Sequence, residues 1–267
     1  MPEIKTAMSN VSRCQAGINS VLGVDLNTVI KALRQLFGNP RKFQKKLFQR
    51  VSWNYRLHVK KEAACVAYSK WVRDDGDRTL RLNYSLTPNS VVFDVGGYKG
   101  DFAEAIHDRY GCTVYVFEPA RNFFEICKRR FAHNPRVKCF NFGLSDADGE
   151  FSLSEEDDGS SLVKKNTDAT SEKVKTRSVV DVYHELRVVN VDLLKLNIEG
   201  GEYFVLPYLY EHNLVSNFNH IQVQFHSFIP NAVEMRDRIR IQLSETHSVT
   251  WEYPFVWESW SRNQSGH

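Results

Sequence analysis

Asp94 stands inside an apolar run, Val91, Val92, Phe93 and Val95, that breaks at once into Gly96 and Gly97 and reaches Gly100 through Tyr98 and Lys99. Glycine lacks a Cβ and tolerates φ > 0, so such a turn lets a ligand approach the main chain. The chain then restarts with helical spacing at Phe102, Ala105, Ile106 and Tyr110. The first turn of that helix offers unpaired N–H groups and a partial positive charge. The chemistry this suits is the holding of a small polar ligand. Gly96, Gly97 and Gly100 do not fit G-x-G-x-x-G, so the dinucleotide fingerprint is not met. Taken alone, the glycines also fit a tight turn in any α/β domain.

Glu118 follows Gly100 by 18 residues, at the end of the run Thr113–Phe117. An acid there accepts hydrogen bonds from two vicinal ribose hydroxyls in dinucleotide sites; its plainer role is to cap the next helix. A second constellation is LLKLNIEGGE, residues 193–202. Side chains alternate across a strand, so Lys195, Asn197 and Glu199 are expected on one side, with Leu194, Leu196 and Ile198 in the core. Gln222, Gln224 and His226 form a similar file in IQVQFH. A polar file on a central strand is costly unless paired or lining a site. Two successive files are expected to face one pocket. The competing readings are an internal Lys195–Glu199 pair and a structurally bonded histidine.

The elements that must position these residues alternate from Val91 onward, which predicts a parallel α/β sheet. Strands are expected at 91–95, 113–117, 137–142, 191–197 and 220–225. Helices are expected at 101–110, through Phe123–Phe131, at 182–186, from Glu202 onward and at 232–243. Residues 144–179 interrupt the alternation with a strand-like FSLS after Gly149, an acidic and polar stretch, and a strand edge at 174–180. The aromatic run from Val249 to Trp260 reads as a final strand pair. In open α/β sheets ligands bind beyond the carboxyl ends of the strands. That rule singles out Asp94, Gly96, Gly97, Glu118, Asn141, Gly143, Asn197, Glu199 and His226.

The N-terminal part differs in character. Residues 1–61 carry twelve Lys and Arg against Glu3 and Asp25, while the remainder has 23 basic and 30 acidic residues. Helical spacing is expected over 21–37 and again over 40–51, where Phe43, Leu47 and Phe48 share a side. Arg41, Lys42, Lys45, Lys46 and Arg50 crowd the rest of that second helix. Such a helix suits an anionic membrane surface, a polyanion or an anionic substrate; a solvated lid or dimerisation helix fits equally. The expected boundary of the main domain lies near residue 75, giving a basic helical segment over 1–75 and the main domain over 76–267. No run approaches the ~20 apolar residues of a membrane span. The start MPEIKTAMSN lacks a secretory pattern. The five cysteines (Cys14, Cys65, Cys112, Cys127, Cys139) include no C-x-x-C. A reduced cytoplasm is therefore the expected setting, with peripheral contact at an inner membrane allowed by the basic helix.

The pieces VVFDVGGYKGDF, VYVFEP, NFGLSDADGEFSL, GSSLV and DLLKLNIEGGEYFVL together resemble the FkbM-type S-adenosylmethionine-dependent methyltransferases. The K-x-[DN]-x-E-G-x-E pattern at Lys195–Glu202 is the specific part. The resemblance implies a Rossmann-like class I methyltransferase sheet with helices on both faces. It also implies S-adenosyl-L-methionine as donor and O-methylation of a sugar, polysaccharide or glycolipid hydroxyl. By the same resemblance Asp94, Gly96, Gly97, Tyr98, Gly100 and Phe102 form the methionine-side cofactor loop. Glu118 is implied as the ribose acid, and Asn141 to Asp146, with Gly143, as the adenine-side wall. Lys195, Asn197, Glu199 and Glu202 fall on the signature. His226 is the first candidate base and Glu199 the second. The family usually has Asp at the place of Asn197; an amide can still orient a hydroxyl or ligate a metal through its oxygen, so a divalent metal is compatible but not assignable. The alternatives are N-methylation of a small molecule, against which no N-P-P-Y tetrapeptide follows the fourth strand, and a non-catalytic binding module. Nucleic acid has only the basic N-terminus in its favour. The acceptor and the oligomeric state are not legible.

Overall fold

The structure, a computed structural model, describes residues 63–153 and 172–264. The helices expected at 21–37 and 40–51, and the acidic and polar stretch through residue 170, lie outside the described residues. The chain divides into two compact units, Met1–Cys65 and Val66–His267. The described residues belong almost wholly to the second.

A first helix, α1 (Ala63–Arg73), and a single 3-10 turn at Leu80–Leu82 precede the sheet. The alternation then runs β1 (Val91–Val95), α2 (Asp101–Tyr110), β2 (Thr113–Phe117), α3 (Arg121–Arg130) and β3 (Val137–Phe140). Three short strands follow: β4 (Gly143–Ser145), β5 (Gly149–Leu153) and β6 (Glu172–Ser178). The chain continues with α4 (Val179–Glu185), β7 (Val191–Leu196), α5 (Glu202–Glu211), β8 (Phe218–Val223) and α6 (Ala232–Ser244). It ends in the hairpin β9 (His247–Tyr253) and β10 (Trp257–Arg262).

The main sheet has the order β3-β2-β1-β7-β8-β10-β9. Its first five strands are parallel, and β10 runs antiparallel to both β8 and β9. From β1 the chain steps one way to β2; from β7 it steps the other way to β8. The reversal leaves a crevice at the carboxyl ends of β1 and β7, the position where an open α/β sheet takes its ligand. A small second sheet, β4-β6-β5, holds the described part of the interrupting segment.

Alternation along the strands gives each face its core. Phe93, Val95, Leu194 and Leu196 pack with Val182 of α4, Leu206 of α5 and Ile239 of α6. Val92, Val114, Val116 and Leu193 pack on the opposite face with Phe102 and Ile106 of α2 and Cys127 of α3. Burial of such side chains is worth about 1.5–3 kcal/mol each. The strands expected at 137–142 and 191–197 end earlier, at Phe140 and Leu196, and the fifth begins at Phe218. The helix expected from Val182 starts at Val179, where the Ser178 hydroxyl accepts from the Asp181 amide.

Ala67 and Trp71, N-terminal to the boundary expected near residue 75, pack with Val256 and Trp257 of the final hairpin. Trp71 lies with its ring centroid 5.6 Å from Trp251 and 5.1 Å from Tyr253. The aromatic run therefore anchors α1. Arg236 and Arg240 of α6 both meet the buried Glu258 carboxylate of β10, which ties that helix to the hairpin. No helix among the described residues is long and apolar enough to cross a membrane.

Candidate active site

The turn after β1 is built so that side chains cannot enter it. Gly96 has φ 81°, and a Cβ there would stand 2.0 Å from the Asn197 carbonyl oxygen. A Cβ on Gly97 would meet Val116 Cγ1 at 2.2 Å. The amides of Gly96 and Gly97 both donate to the Phe117 carbonyl, and Gly100 N–H closes on Gly97 O at 2.8 Å. Tyr98 takes φ 50° between them, an uncommon conformation for a residue with a side chain. Its amide donates to Glu118 Oε2 at 2.7 Å, and its ring rests on Phe123, centroids 4.3 Å apart.

Glu118 thus braces the glycine turn as well as standing at the strand end. Its Oε1 accepts from the Ala120 amide at 2.9 Å, just before α3. Each carboxylate oxygen keeps capacity for a further donor. Burial pushes the carboxyl up to about 7, against the opposing effect of those two amide bonds. Asn141 braces the next loop by donating to the Glu118 and Pro119 carbonyls at 3.1 and 2.9 Å. Gly143 opens β4. Asp146 accepts from the Ser145 hydroxyl. Phe102, expected among the cofactor contacts, packs into the core beneath the turn with Val92 and Leu193.

The expected Lys195–Glu199 pair does not form. Lys195 pairs with Asp94, the residue opposite it in the β1–β7 register. Its Nζ donates to Asp94 Oδ1 and to the Gly96 carbonyl, each at 2.8 Å. Both side chains are buried. Burial drives the ammonium below its usual range, and the Asp94 carboxylate opposes that drift. Among the described residues, Asp94 Oδ2 and Asn197 Oδ1 are buried acceptors with no hydrogen-bond partner.

Asn197 and Glu199 leave the file with Lys195 because β7 stops at Leu196. Glu199 lies at φ 51° and Gly200 at φ 109°. This turn carries Glu199 round to the end of β8, where its Oε1 lies 3.5 Å from His226 Nε2. On the other side of the ring, His226 Nδ1 lies 2.9 Å from Glu202 Oε1. Glu202, the first residue of α5, is fully buried; it also accepts from the His226 amide and, through Oε2, from the Gly200 amide. Burial alone would lower the His226 imidazole. Hydrogen bonds and charge from Glu199 and Glu202 outweigh it and raise it to about 9.

The second expected file does not face one pocket. Gln222 lies in β8 and is occupied by the segment before β1: it accepts from Arg81 Nε and donates to the Arg81 carbonyl and the Tyr84 hydroxyl. The strand ends at Val223, so His226 belongs to the following loop. Glu202 is the partner of His226 that the linear reading did not supply, since 24 positions separate the two. The signal was an acid at a helix start, in a glycine turn, opposite a histidine at the next strand end. Among the described residues no group of three or more His, Cys, Asp and Glu side chains is arranged to hold a metal ion.

A mostly parallel sheet of this order, with a glycine turn at the switch point and an acid at the end of the neighbouring strand, is a Rossmann-like α/β fold. Residues 94–246 match the family described as Methyltransferase FkbM domain, and the chain belongs to that family. It is a methyltransferase, and the donor its fold implies is S-adenosylmethionine. No curated protein matches the chain at a significant level. Solved structures with a similar fold include an rRNA methylase from Streptococcus thermophilus at 10% identity, covering 72% of this chain and 96% of that one, TM-score 0.42. They also include a ribosomal protein L11 methylase from Lactobacillus delbrueckii subsp. bulgaricus at 15% identity, covering 70% and 77%, TM-score 0.41. A Methanococcus jannaschii fibrillarin pre-rRNA processing protein is similar at 12% identity, covering 70% and 74%, TM-score 0.42. Likeness at this level says nothing about substrate.

The residues present suit such a donor. The Gly96–Gly97 turn permits close approach, two unpartnered buried acceptors suit the ammonium of the aminoacyl end, and both Glu118 oxygens keep capacity for hydroxyl donors.

Proposed function

We propose that the protein transfers the methyl group of S-adenosylmethionine to a hydroxyl of a sugar, polysaccharide or glycolipid. The observation that carries the choice of hydroxyl is the Glu202–His226–Glu199 arrangement that follows the ends of β7 and β8. A hydroxyl must lose its proton as it attacks, so it needs a base within reach; this arrangement supplies one.

The donor brings an electrophilic methyl on a good leaving group, so the protein mainly aligns and deprotonates. Gly96 and Gly97 admit the aminoacyl end, Asp94 and Asn197 receive its ammonium, and Glu118 receives the ribose hydroxyls. Glu202 holds Nδ1 of His226, which leaves Nε2 on the Glu199 side to take the acceptor's proton. Glu199 stabilises the imidazolium that results. Because the two carboxylates already favour that imidazolium, the neutral base is a minor form at pH 7 and grows with pH. The basic residues Arg41, Lys42, Lys45, Lys46 and Arg50 suit a phosphorylated or lipid-linked acceptor, or an anionic membrane surface in the cytoplasm.

The test is release of S-adenosylhomocysteine against a panel of nucleotide sugars, lipid-linked glycans and small amines, with the product located by mass spectrometry. A methyl ether on a glycan supports the reading. Methylation confined to amines overturns it.

A further inference from the structure

We propose that Lys195 is the positioning residue of the donor site: it holds the Asp94 carboxylate so that Oδ2 receives the donor's ammonium. The inference rests on the donor reading above and assigns Lys195 a task in binding rather than in proton transfer.

Three observations carry it. Lys195 Nζ engages Asp94 Oδ1 and the Gly96 carbonyl at 2.8 Å each, with the Val95 carbonyl at 3.5 Å, so its three donors are directed into β1 and its turn. The lysine faces the glycine turn from below and is 3% exposed, so it meets no acceptor substrate. Asp94 is fully buried, yet its second oxygen has no partner among the described residues and lies on the Gly97 side, 3.8 Å from where a Cβ would stand.

A buried carboxylate is stable only when paired. Lys195 supplies the pairing through one oxygen and leaves the other for a cation. By gripping Gly96 O it also fixes the turn that the cation must approach. The other charged or titratable groups near the pair are Arg81 from the segment before β1, Glu118 at the end of β2, Cys127 of α3 and Cys139 of β3. Arg81 is the cation among them, and its guanidinium lies over the Trp257 ring at 4.1 Å and is bonded to Gln222 and Asp77. None of these replaces Lys195 on Oδ1.

The test compares two ligands by calorimetry on the full chain. S-adenosylhomocysteine carries the ammonium; 5′-methylthioadenosine lacks the aminoacyl end. Lys195→Met is expected to weaken S-adenosylhomocysteine at least about tenfold, while 5′-methylthioadenosine, measured by competition, stays within about threefold of wild type. Equal loss for both ligands would mean a merely structural role and overturn the proposal, as would wild-type affinity for S-adenosylhomocysteine. Wild-type protein that binds neither ligand would remove the donor reading itself. If Lys195→Met does not fold, Lys195→Gln serves, since it keeps an N–H donor for Gly96 and removes the charge.

Discussion

Lys195 stands opposite Asp94 across the parallel ladder of β1 and β7, and the two side chains close an ion pair beneath Gly96. The register places them on the same face of the sheet, at the switch point where the ligand crevice opens. An ion pair there is stable only if desolvation is offset by good geometry. The lysine achieves this with two bonds of 2.8 Å, and the aspartate leaves one oxygen unsatisfied among the described residues.

Breaking that pair on one side is expected to cost about 3–5 kcal/mol of stability, because it strands a buried charge. Replacing both residues, Asp94→Leu with Lys195→Met, is expected to cost much less. Urea denaturation of the three variants measures this; additive losses would mean that the two side chains stabilise the fold independently.

A methyl group added at Gly96 meets main-chain atoms that cannot swing away. Gly96→Ala forces a Cβ to within 2.0 Å of the Asn197 oxygen at φ 81°. A loss on the order of 3 kcal/mol and of S-adenosylhomocysteine binding is expected. Thermal melts and calorimetry check it, and a variant with wild-type values in both would show that the turn yields easily.

The pH profile of turnover follows from the two carboxylates on His226. With the imidazole raised to about 9, kcat/KM is expected to climb with pH up to about that value, since only the neutral ring accepts a proton. Glu202→Gln removes the charge on Nδ1, so the midpoint is expected to move down and the maximal rate to fall by about tenfold or more. His226→Ala is expected to lose about 10²-fold. A profile flat from pH 6 to 9 in wild type would exclude His226 as the base.

Stability without ligand should decline as pH rises. His226 is raised above its ordinary value of 6.5, so its contribution is full below about 6.5 and is lost as pH passes about 9. The Glu118 carboxyl is raised from 4.5 to about 7, so stability is also lost across that lower window, as burial comes to oppose its ionised form. Each window is expected to carry on the order of 3 kcal/mol. Glu118→Gln should flatten the lower window and His226→Gln the upper one in denaturation curves taken from pH 4.5 to 9.5. Unchanged slopes in both variants would assign the pH dependence to other groups.

Much of this architecture is legible in the chain because its signals are local. The strand at Val91–Val95, the helix at Asp101–Tyr110 and the strand at Thr113–Phe117 follow from apolar runs bounded by Gly96, Gly100 and Gly111, and the structure has them at those bounds. The alternation from Val91 onward dictates a parallel sheet, and the strand-end rule singles out the glycines and Glu118 as candidate ligand contacts. Leu194 and Leu196 enter the core as the period of two requires, and Ile198, beyond the strand, is buried with them.

The partners of the polar residues were decided elsewhere. Period-two reasoning put Lys195 with Glu199, but the strand stops at Leu196 and a positive φ at Glu199 turns that residue toward His226. Glutamate gives no warning of such a conformation, which local energy disfavours and only surrounding contacts impose. Asp94 lies 101 residues from Lys195, and Glu202 lies 24 from His226. Such pairs arise from the order of strands in the sheet, which no stretch of residues encodes by itself. The sequence alone determined the kind of fold, the glycine cradle and the family, because these rest on spacing within a few residues. The carboxylates that flank His226, the pairing of Lys195 with Asp94 and the bracing of the turn by Glu118 were decided by the tertiary structure, because each depends on burial and on a partner brought from a distant part of the chain.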